Sequence, residues 1–360
     1  MKNFVPTLVI LLTATILAIG IGEFSLRQVF PLPLSSPSPQ VRYDLHPTRR
    51  FTLRPDQQAF TYSAPVRVGP DGFRVTPGTE SPHQDSVNVV ALGDSFTFGM
   101  GVADHETWPA RLQSHLSSGG VERYRVINMG TISYGVQQEL DLFVERGLNS
   151  RPRVVVHGLY WNDYMDAGPV GPNAAPALTS DGYFVWDPPT PQGGLGRLKA
   201  FVRDHSVLAF VSMQVLKSAL AEQGTSHYET HYQSLVRGEI APGLFEPVEA
   251  FYRELKSLGS RNGFDMYVIV FPVFGIVEAG NPENHPYSRV IREMFRRLDI
   301  PYLDGLALWR ERGLGVDTYL PYNRHLGPNG HDIVAAAAAE DLRELMTPGD
   351  ATPAESRQSD

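Results

Sequence analysis

The 360-residue chain contains no cysteine, which excludes disulfide bonds, cysteine-ligated metal sites, a thiol nucleophile and a lipid-modified cysteine. It also has no excess of basic residues: the net charge is −8 and no basic stripe is visible, so nucleic acid is not an expected partner. The histidines are scattered and form no His-Glu-x-x-His pattern, so nothing indicates a metal or an organic cofactor.

Only one long hydrophobic run is present, and it lies at the amino end. Lys2 is followed by an uncharged stretch from Phe4 to Gly22, which is about the length of a membrane-spanning helix. We interpret residues 1–26 as an uncleaved membrane anchor, with a removed signal peptide as the alternative; its cleavage signal would be Ala18-Ile19-Gly20. The flanking charges favour an amino end in the cytoplasm and the remainder outside.

The rest of the chain divides by composition into three parts. Residues 27–62 are predicted to be a proline-rich tether, most clearly between about Gln28 and Gln58, that holds a domain away from the membrane. Residues 63–346 have the balance of apolar and charged residues of a folded domain. The polar tail 347–360 is predicted to be disordered.

From Val87 onward, candidate strands alternate with candidate helices, which predicts an α/β fold with a doubly wound parallel sheet. The alternation stops at about 166–241, which we interpret as an insertion at the carboxyl side of the third strand that shapes a substrate cleft or lid. The predicted strands are Val87–Leu92, Tyr124–Met129, Arg153–Leu159, Asp265–Phe271 and Tyr302–Leu303, and the predicted helices are Thr107–Leu116, Val136–Gly147, Phe245–Gly259, Tyr287–Leu298 and Gly330–Leu345.

A serine follows the first of these strands. The apolar run from Val87 ends in Gly93-Asp94-Ser95, and a helical pattern resumes after about Glu106. Such a serine lies at the edge where open α/β sheets bind their ligands, with backbone N–H groups near a developing negative charge. By itself the tripeptide is also typical of a surface turn.

Polar or small residues follow the next two strands. Asn128 to Gly135 contains Gly130 and Ser133, where a backbone N–H group could donate to an oxyanion; an ordinary turn between strand and helix is the alternative. Asn162 follows the third strand and offers a neutral donor, although Asn162 or Asp163 could equally cap the following turn.

A histidine precedes the last helix. His325 lies in a loop and is free to reach the same edge of the sheet, where an imidazole can take a proton from a serine and return it to a leaving group. His331 is instead expected to contribute to the start of the helix.

The order of these four segments resembles the SGNH/GDSL hydrolase family. The resemblance covers about Ala64 to Leu345 and is strongest over Leu92–Leu112 and His325–Ala335. It implies a flavodoxin-like three-layer α/β/α sandwich with a central parallel sheet, and esterase or acyl-transfer chemistry. It implies these roles: nucleophile Ser95, backbone donor Ser133 or Gly130, amide donor Asn162 and base His325.

Two departures from the family pattern affect the donors. The glycine of the second segment falls on Ser133, with Gly130 three residues earlier, and the glycine usual two residues before Asn162 is Tyr160. A backbone N–H group survives the first change, but the geometry of the turn is altered.

A third departure affects the base. The acid expected two or three residues before His325 is absent, since those positions hold Asn323 and Tyr322. Asn323 can orient an imidazole by hydrogen bonding but cannot stabilise imidazolium by charge. Asp304 and Asp317 are possible substitutes.

The sequence therefore predicts a serine esterase or O-acyltransferase acting on a short acyl ester, expected on an extracytoplasmic carbohydrate. Its membrane anchor and its resemblance to a membrane-tethered, exported bacterial branch place it at the inner membrane, facing the periplasm. The missing acid motivates an alternative, a non-catalytic carbohydrate-binding or polysaccharide-assembly protein with a degenerate site. A third hypothesis is a transferase that works with a membrane partner.

Overall fold

Five parallel strands form the centre of the computed structural model. They are β5 (Val87–Gly93), β6 (Tyr124–Asn128), β7 (Val154–Leu159), β8 (Asp265–Val270) and β9 (Tyr302–Asp304). The structure describes residues 4–28, 40–62, 64–78, 86–118, 123–163, 178–179, 181–184, 194, 198, 201–202, 205–209, 211–212, 227–321 and 323–346.

Ten helices are described. They are α1 (Phe4–Arg27), α2 (Ser95–Phe98), α3 (Trp108–Ser117), α4 (Val136–Glu145), α5 (His227–Val236), α6 (Glu246–Asn262), α7 (Phe274–Glu278), α8 (Pro286–Leu298), α9 (Gly305–Glu311) and α10 (Pro328–Met346). Each predicted strand and helix from Val87 onward is confirmed, with its ends within three residues of the expected ones. The short helices α7 and α9 were not predicted.

The strand order in the sheet is β6-β5-β7-β8-β9, and all neighbours are parallel. Strand β5 pairs with β7 up to its last residue, Gly93, which lies opposite Gly158. Helix α3 packs on α10, and α4 packs on α6, so helices cover the sheet on both faces. The flavodoxin-like three-layer α/β/α fold is thus confirmed, and the carboxyl ends of its strands share one edge.

Residues 40–62 form part of the folded domain, which makes the predicted tether too long. Strands β1 (Tyr43–His46) and β2 (Arg50–Leu53) form one hairpin, and β3 (Gln57–Thr61) pairs with β4 (Ala64–Val68) in another. Tyr43 and Phe51 are buried, and the Phe51 ring lies 5.2 Å from that of Tyr134. The prediction of an extended tether is therefore wrong from residue 40 to 62, because alternate side chains of these strands pack into the core. Residues 29–39 of the predicted tether and the tail 347–360 lie outside the described residues.

Helix α1 contains the hydrophobic run. Its segment Ile10–Arg27 is long and apolar enough to cross a membrane, and none of it is buried in the protein. A helix of this kind at the amino end fits either a membrane span or a signal sequence.

Arg74 holds the turn that carries Ser95. Its guanidinium donates to the carbonyl oxygens of Phe98 (2.7 Å), Gly99 (2.6 Å) and Val102 (2.6 Å), and its Nε donates to Asp104 at 3.2 Å. Burial lowers the pKa of Arg74 to about 10, so the side chain stays charged at neutral pH. A single buried cation therefore satisfies the carbonyl groups that follow α2.

Replacing Arg74 tests this role. We expect Arg74→Ala to lower the free energy of unfolding by about 3–5 kcal/mol, because it removes the fully buried cation that pairs with Asp104 and donates to three carbonyl oxygens. Arg67→Ala is the matched control: Arg67 bonds the same Asp104, but its side chain is 46% exposed, so we expect a loss of about 1 kcal/mol or less. Chemical denaturation of the detergent-solubilised chain measures both, and equal losses would contradict the assignment.

Candidate active site

Ser95 lies at the first position of α2, two residues after the end of strand β5. Asp94 caps this helix, since its Oδ1 accepts from the N–H of Phe96 at 2.9 Å. Gly93 has φ of +148°, and a Cβ atom there would lie 2.3 Å from Thr97 Oγ1. The Gly-Asp-Ser sequence is therefore a tight strand-to-helix turn in which the glycine permits the backbone path and the aspartate fixes it.

The structure brings His325 to Ser95. The distance between Ser95 Oγ and His325 Nε2 is 2.8 Å. The imidazole stacks on the Phe96 ring, with 4.7 Å between ring centroids, so the turn that presents the serine also supports the histidine. A neutral imidazole that accepts the serine proton at Nε2 carries its own proton on Nδ1.

Asn323 does not form the expected hydrogen bond with the imidazole of His325. Asn323 Oδ1 accepts from the backbone N–H of His325 at 2.8 Å and so fixes the loop rather than the ring. His325 Nδ1 and Asn323 Nδ2 are both buried and have no hydrogen-bond partner among the described residues. The expected hydrogen bond from Asn323 to the imidazole is therefore absent, because its acceptor atom is used by the main chain.

Neither aspartate considered as a substitute orients the ring. Asp304 Oδ1 caps α9 by accepting from the N–H of Ala307 at 3.1 Å, and Asp317 lies in the short 3₁₀ helix Val316–Thr318. In the described part of the chain, no carboxylate forms a hydrogen bond with the ring of His325. With no acid to offset it, burial lowers the pKa of His325 from 6.5 to about 4.

Asn162 reaches the same turn from the end of β7. Its Nδ2 donates to Asp94 Oδ2 at 3.1 Å, and the same carboxylate oxygen is 3.4 Å from Ser95 Oγ. Asp163, not Asn162, closes the turn after β7, because its Oδ2 accepts from the N–H of Tyr160 at 2.8 Å. The amide of Asn162 is thus held next to the serine.

In the turn after β6, the backbone N–H group of Gly130 is hydrogen-bonded and that of Ser133 is not, among the described residues. The N–H of Gly130 donates to Asn128 Oδ1 at 3.0 Å, and a Cβ at Gly130 would lie 2.1 Å from the nitrogen of Phe98. Gly130 therefore allows close packing on α2, and its N–H group is not available as an oxyanion donor. Ser133 has φ of +64°, and its N–H has no acceptor among the described residues.

Four residues near the site were not identified as functional candidates from the sequence: Asp94, Phe96, Arg324 and Glu229. Asp94 bonds Asn162, and Phe96 supports the imidazole, as described above. Arg324 lies next to His325 and makes a two-pronged ion pair with Glu229 of α5 (2.9 and 3.1 Å), while its guanidinium lies 4.0 Å from the centre of the Tyr232 ring. Arg324 holds the pKa of Glu229 below its usual value. No spacing in the sequence links α5 to the loop of His325.

The low pKa of His325 predicts an unusual pH profile. We expect the acid limb of kcat/KM for an acetyl ester to lie near pH 4, because the imidazole stays neutral down to its pKa. Asn323→Asp places a negative charge beside the ring, raises that pKa and moves the limb to higher pH. Asn329→Asp, which adds the same charge at an exposed position of α10, serves as the control and should move the limb less. A wild-type limb at 6.5 or above would contradict the assignment.

Ser133 provides a separate test. We expect Ser133→Gly to keep activity and raise the free energy of unfolding by about 0.5–1 kcal/mol, because glycine tolerates positive φ and retains the N–H group. Ser133→Ala keeps the unfavourable conformation and should show no such gain. Thermal unfolding and ester hydrolysis measure the two effects, and a large loss of activity in either variant would assign a role to the hydroxyl.

Comparison with known proteins identifies the family of the chain. The model of the GDSL-like lipase/acylhydrolase family matches residues 91–333. No curated protein matches the chain.

Among solved structures, a lipase/acylhydrolase from Enterococcus faecalis is 15% identical with a TM-score of 0.40, covering 74% of this chain and 100% of its own. An acetylxylan esterase from Geobacillus stearothermophilus is 14% identical with a TM-score of 0.40, covering 73% and 97%. The family match spans two thirds of the sequence and includes both Ser95 and His325, and the chain therefore belongs to the GDSL-like lipase/acylhydrolase family of ester-bond hydrolases.

Proposed function

We propose that the chain is a serine esterase that hydrolyses or transfers a short acyl group through an acyl-enzyme on Ser95. The observation that carries the proposal is the 2.8 Å hydrogen bond between Ser95 Oγ and His325 Nε2. His325 Nε2 takes the Oγ proton as Oγ bonds to the ester carbonyl carbon. The same proton then passes to the departing alcohol as its C–O bond breaks.

The second half of the reaction reverses these steps. Water or an acceptor hydroxyl gives its proton to His325 Nε2 and attacks the acyl carbon, and Ser95 Oγ leaves with that proton. In both halves the carbonyl oxygen becomes negative. We infer that three neutral donors stabilise this charge: the N–H groups of Ser95 and Ser133, and the amide of Asn162, which is hydrogen-bonded to Asp94 at 3.1 Å.

The imidazole works without a carboxylate partner. A buried acid would stabilise imidazolium, and here Nδ1 has no such partner among the described residues. The imidazolium formed in each half-reaction is therefore costly, which favours slow turnover and a base that stays neutral over a wide pH range.

A cavity near this edge supports a carbohydrate as the acyl carrier. Its volume is about 250 Å³, and Ile132, the neighbour of Ser133, and Met100, just after α2, contribute to its wall. Gln40, Tyr62 and Tyr183 also line it. Amide and aromatic groups of this kind suit a polar ring with apolar faces. We infer that an extracytoplasmic, acylated glycan is the substrate class, with α1 retained as a single-pass anchor in a bacterial inner membrane.

Substitutions at the site test the chemistry. We expect Ser95→Ala and His325→Ala to abolish measurable hydrolysis of an acetyl ester, and Asn162→Ala to reduce kcat about 100- to 1000-fold by removing one oxyanion donor. Ser114→Ala is the serine control, since that hydroxyl donates to the Ala110 carbonyl oxygen within α3. Full activity of Ser95→Ala would refute the proposal.

Covalent labelling separates this proposal from a non-catalytic role. A fluorophosphonate should label Ser95 in the folded chain and leave Ser95→Ala unlabelled. Absence of an adduct on the folded wild-type protein would favour the binding role instead. With an acylated glycan present, the ratio of acyl transfer to hydrolysis then distinguishes a transferase from a hydrolase.

A further inference from the structure

The last turns of α1 contact a segment that lies about 180 residues further along the chain. Glu23 accepts from the hydroxyl of Ser206 (2.9 Å) and from the N–H groups of Val207 (3.1 Å) and Leu208 (3.0 Å). These groups are at the start of the helical residues 207–209, so a carboxylate on α1 caps a helix of the insertion.

Arg27 completes the contact. It forms an ion pair with Glu23 at 2.7 Å and donates to the carbonyl oxygen of His205 at 2.8 Å. His205 ends the helical residues that precede Ser206, so the Glu23–Arg27 pair bridges a break between two helical stretches. The cation is at a helix carboxyl end and the anion at a helix amino end, each of which matches the sign of the helix dipole.

An uncovered apolar face lies on the first of these stretches. Leu198 is 59% exposed, Phe201 is 59% exposed and Val202 is 42% exposed. Their spacing of three and four residues puts them on one side of a helix. The sequence around them also carries Arg197, Lys199 and Arg203 with one acid, Asp204. Apolar residues mixed with basic ones are typical of helices that lie in the surface of an anionic membrane.

The position of Glu23 in α1 determines where this contact lies relative to the membrane surface. It is the first charged residue after the uncharged run Phe4–Gly22. In a membrane-spanning α1, Glu23 therefore lies at the boundary between hydrocarbon and water. Residues hydrogen-bonded to Glu23 lie at the same level, and this places the insertion segment at the membrane surface.

We propose that Leu198, Phe201 and Val202 make a second membrane contact, in which they enter the headgroup region of the bilayer that α1 spans. The Glu23–Arg27 pair holds this segment against α1. This inference rests on the proposed retention of α1 as an anchor and is independent of the chemistry at Ser95. Later in the same insertion, α5 carries Glu229, which pairs with Arg324 beside His325.

The absence of cysteine makes a direct test possible. The full chain carrying Phe201→Cys is labelled with an environment-sensitive fluorophore and reconstituted in nanodiscs of phosphatidylethanolamine and phosphatidylglycerol that contain quencher-labelled lipid. Val316→Cys is the matched control, an exposed valine (40%) in the folded domain, and Leu17→Cys reports on α1 itself. We expect quenching at residue 201 by shallow quenchers to be severalfold greater than at residue 316, and residue 17 to respond to deep quenchers.

The outcomes separate the two proposals. If residue 17 is not quenched, α1 does not span the bilayer and the anchor proposal fails. If residue 17 is quenched but residue 201 responds no more than residue 316, the second membrane contact is refuted. Glu23→Gln should reduce quenching at residue 201 and leave residue 17 unchanged; unchanged quenching at both would refute the role of the ion pair in holding the segment.

Discussion

The hydrogen bond between Ser95 Oγ and His325 Nε2 joins side chains that are 230 residues apart, and it exists only because the strands of the sheet are parallel. Parallel strands end at one edge, so the turn after β5 and the loop before α10 converge there. Arg74 holds the carbonyl groups after α2, and Asp94 holds the amide of Asn162. A shift of this turn would separate the serine from the histidine. Hydrogen bonds from buried charged side chains therefore fix main-chain positions that hydrophobic packing alone would not determine.

Much of this arrangement can be predicted from residues near one another in sequence. Apolar runs such as Val87–Gly93 identify buried strands, and the amphipathic stretches between them identify crossover helices, because burial sets their period. The two hairpins within residues 43–68 are different. Their pattern of alternation is short and is interrupted by Arg49, whose charge is buried against α4 through Glu145. A buried arginine cannot be recognised without knowing its partner.

The donors at the site show the same limit. The sequence leaves Gly130 and Ser133 as alternatives, because a glycine is the natural candidate wherever a backbone must turn tightly. Only the hydrogen bond from Gly130 to Asn128, together with the positive φ of Ser133, distinguishes an engaged N–H group from an available one. Likewise, the family pattern shows that an acid is missing before His325, but not that Asn323 directs its oxygen to the main chain.

The ion pair between Arg324 and Glu229 has a consequence for how this family member is assembled. Insertions at the edge of an α/β sheet are commonly regarded as exchangeable modules attached to a self-sufficient scaffold. Here α5, at the end of the insertion, supplies the carboxylate and the Tyr232 ring that hold the residue next to the imidazole. Exchanging the insertion as a cassette would therefore disturb the histidine as well as the cleft, so the two regions are constrained to evolve together.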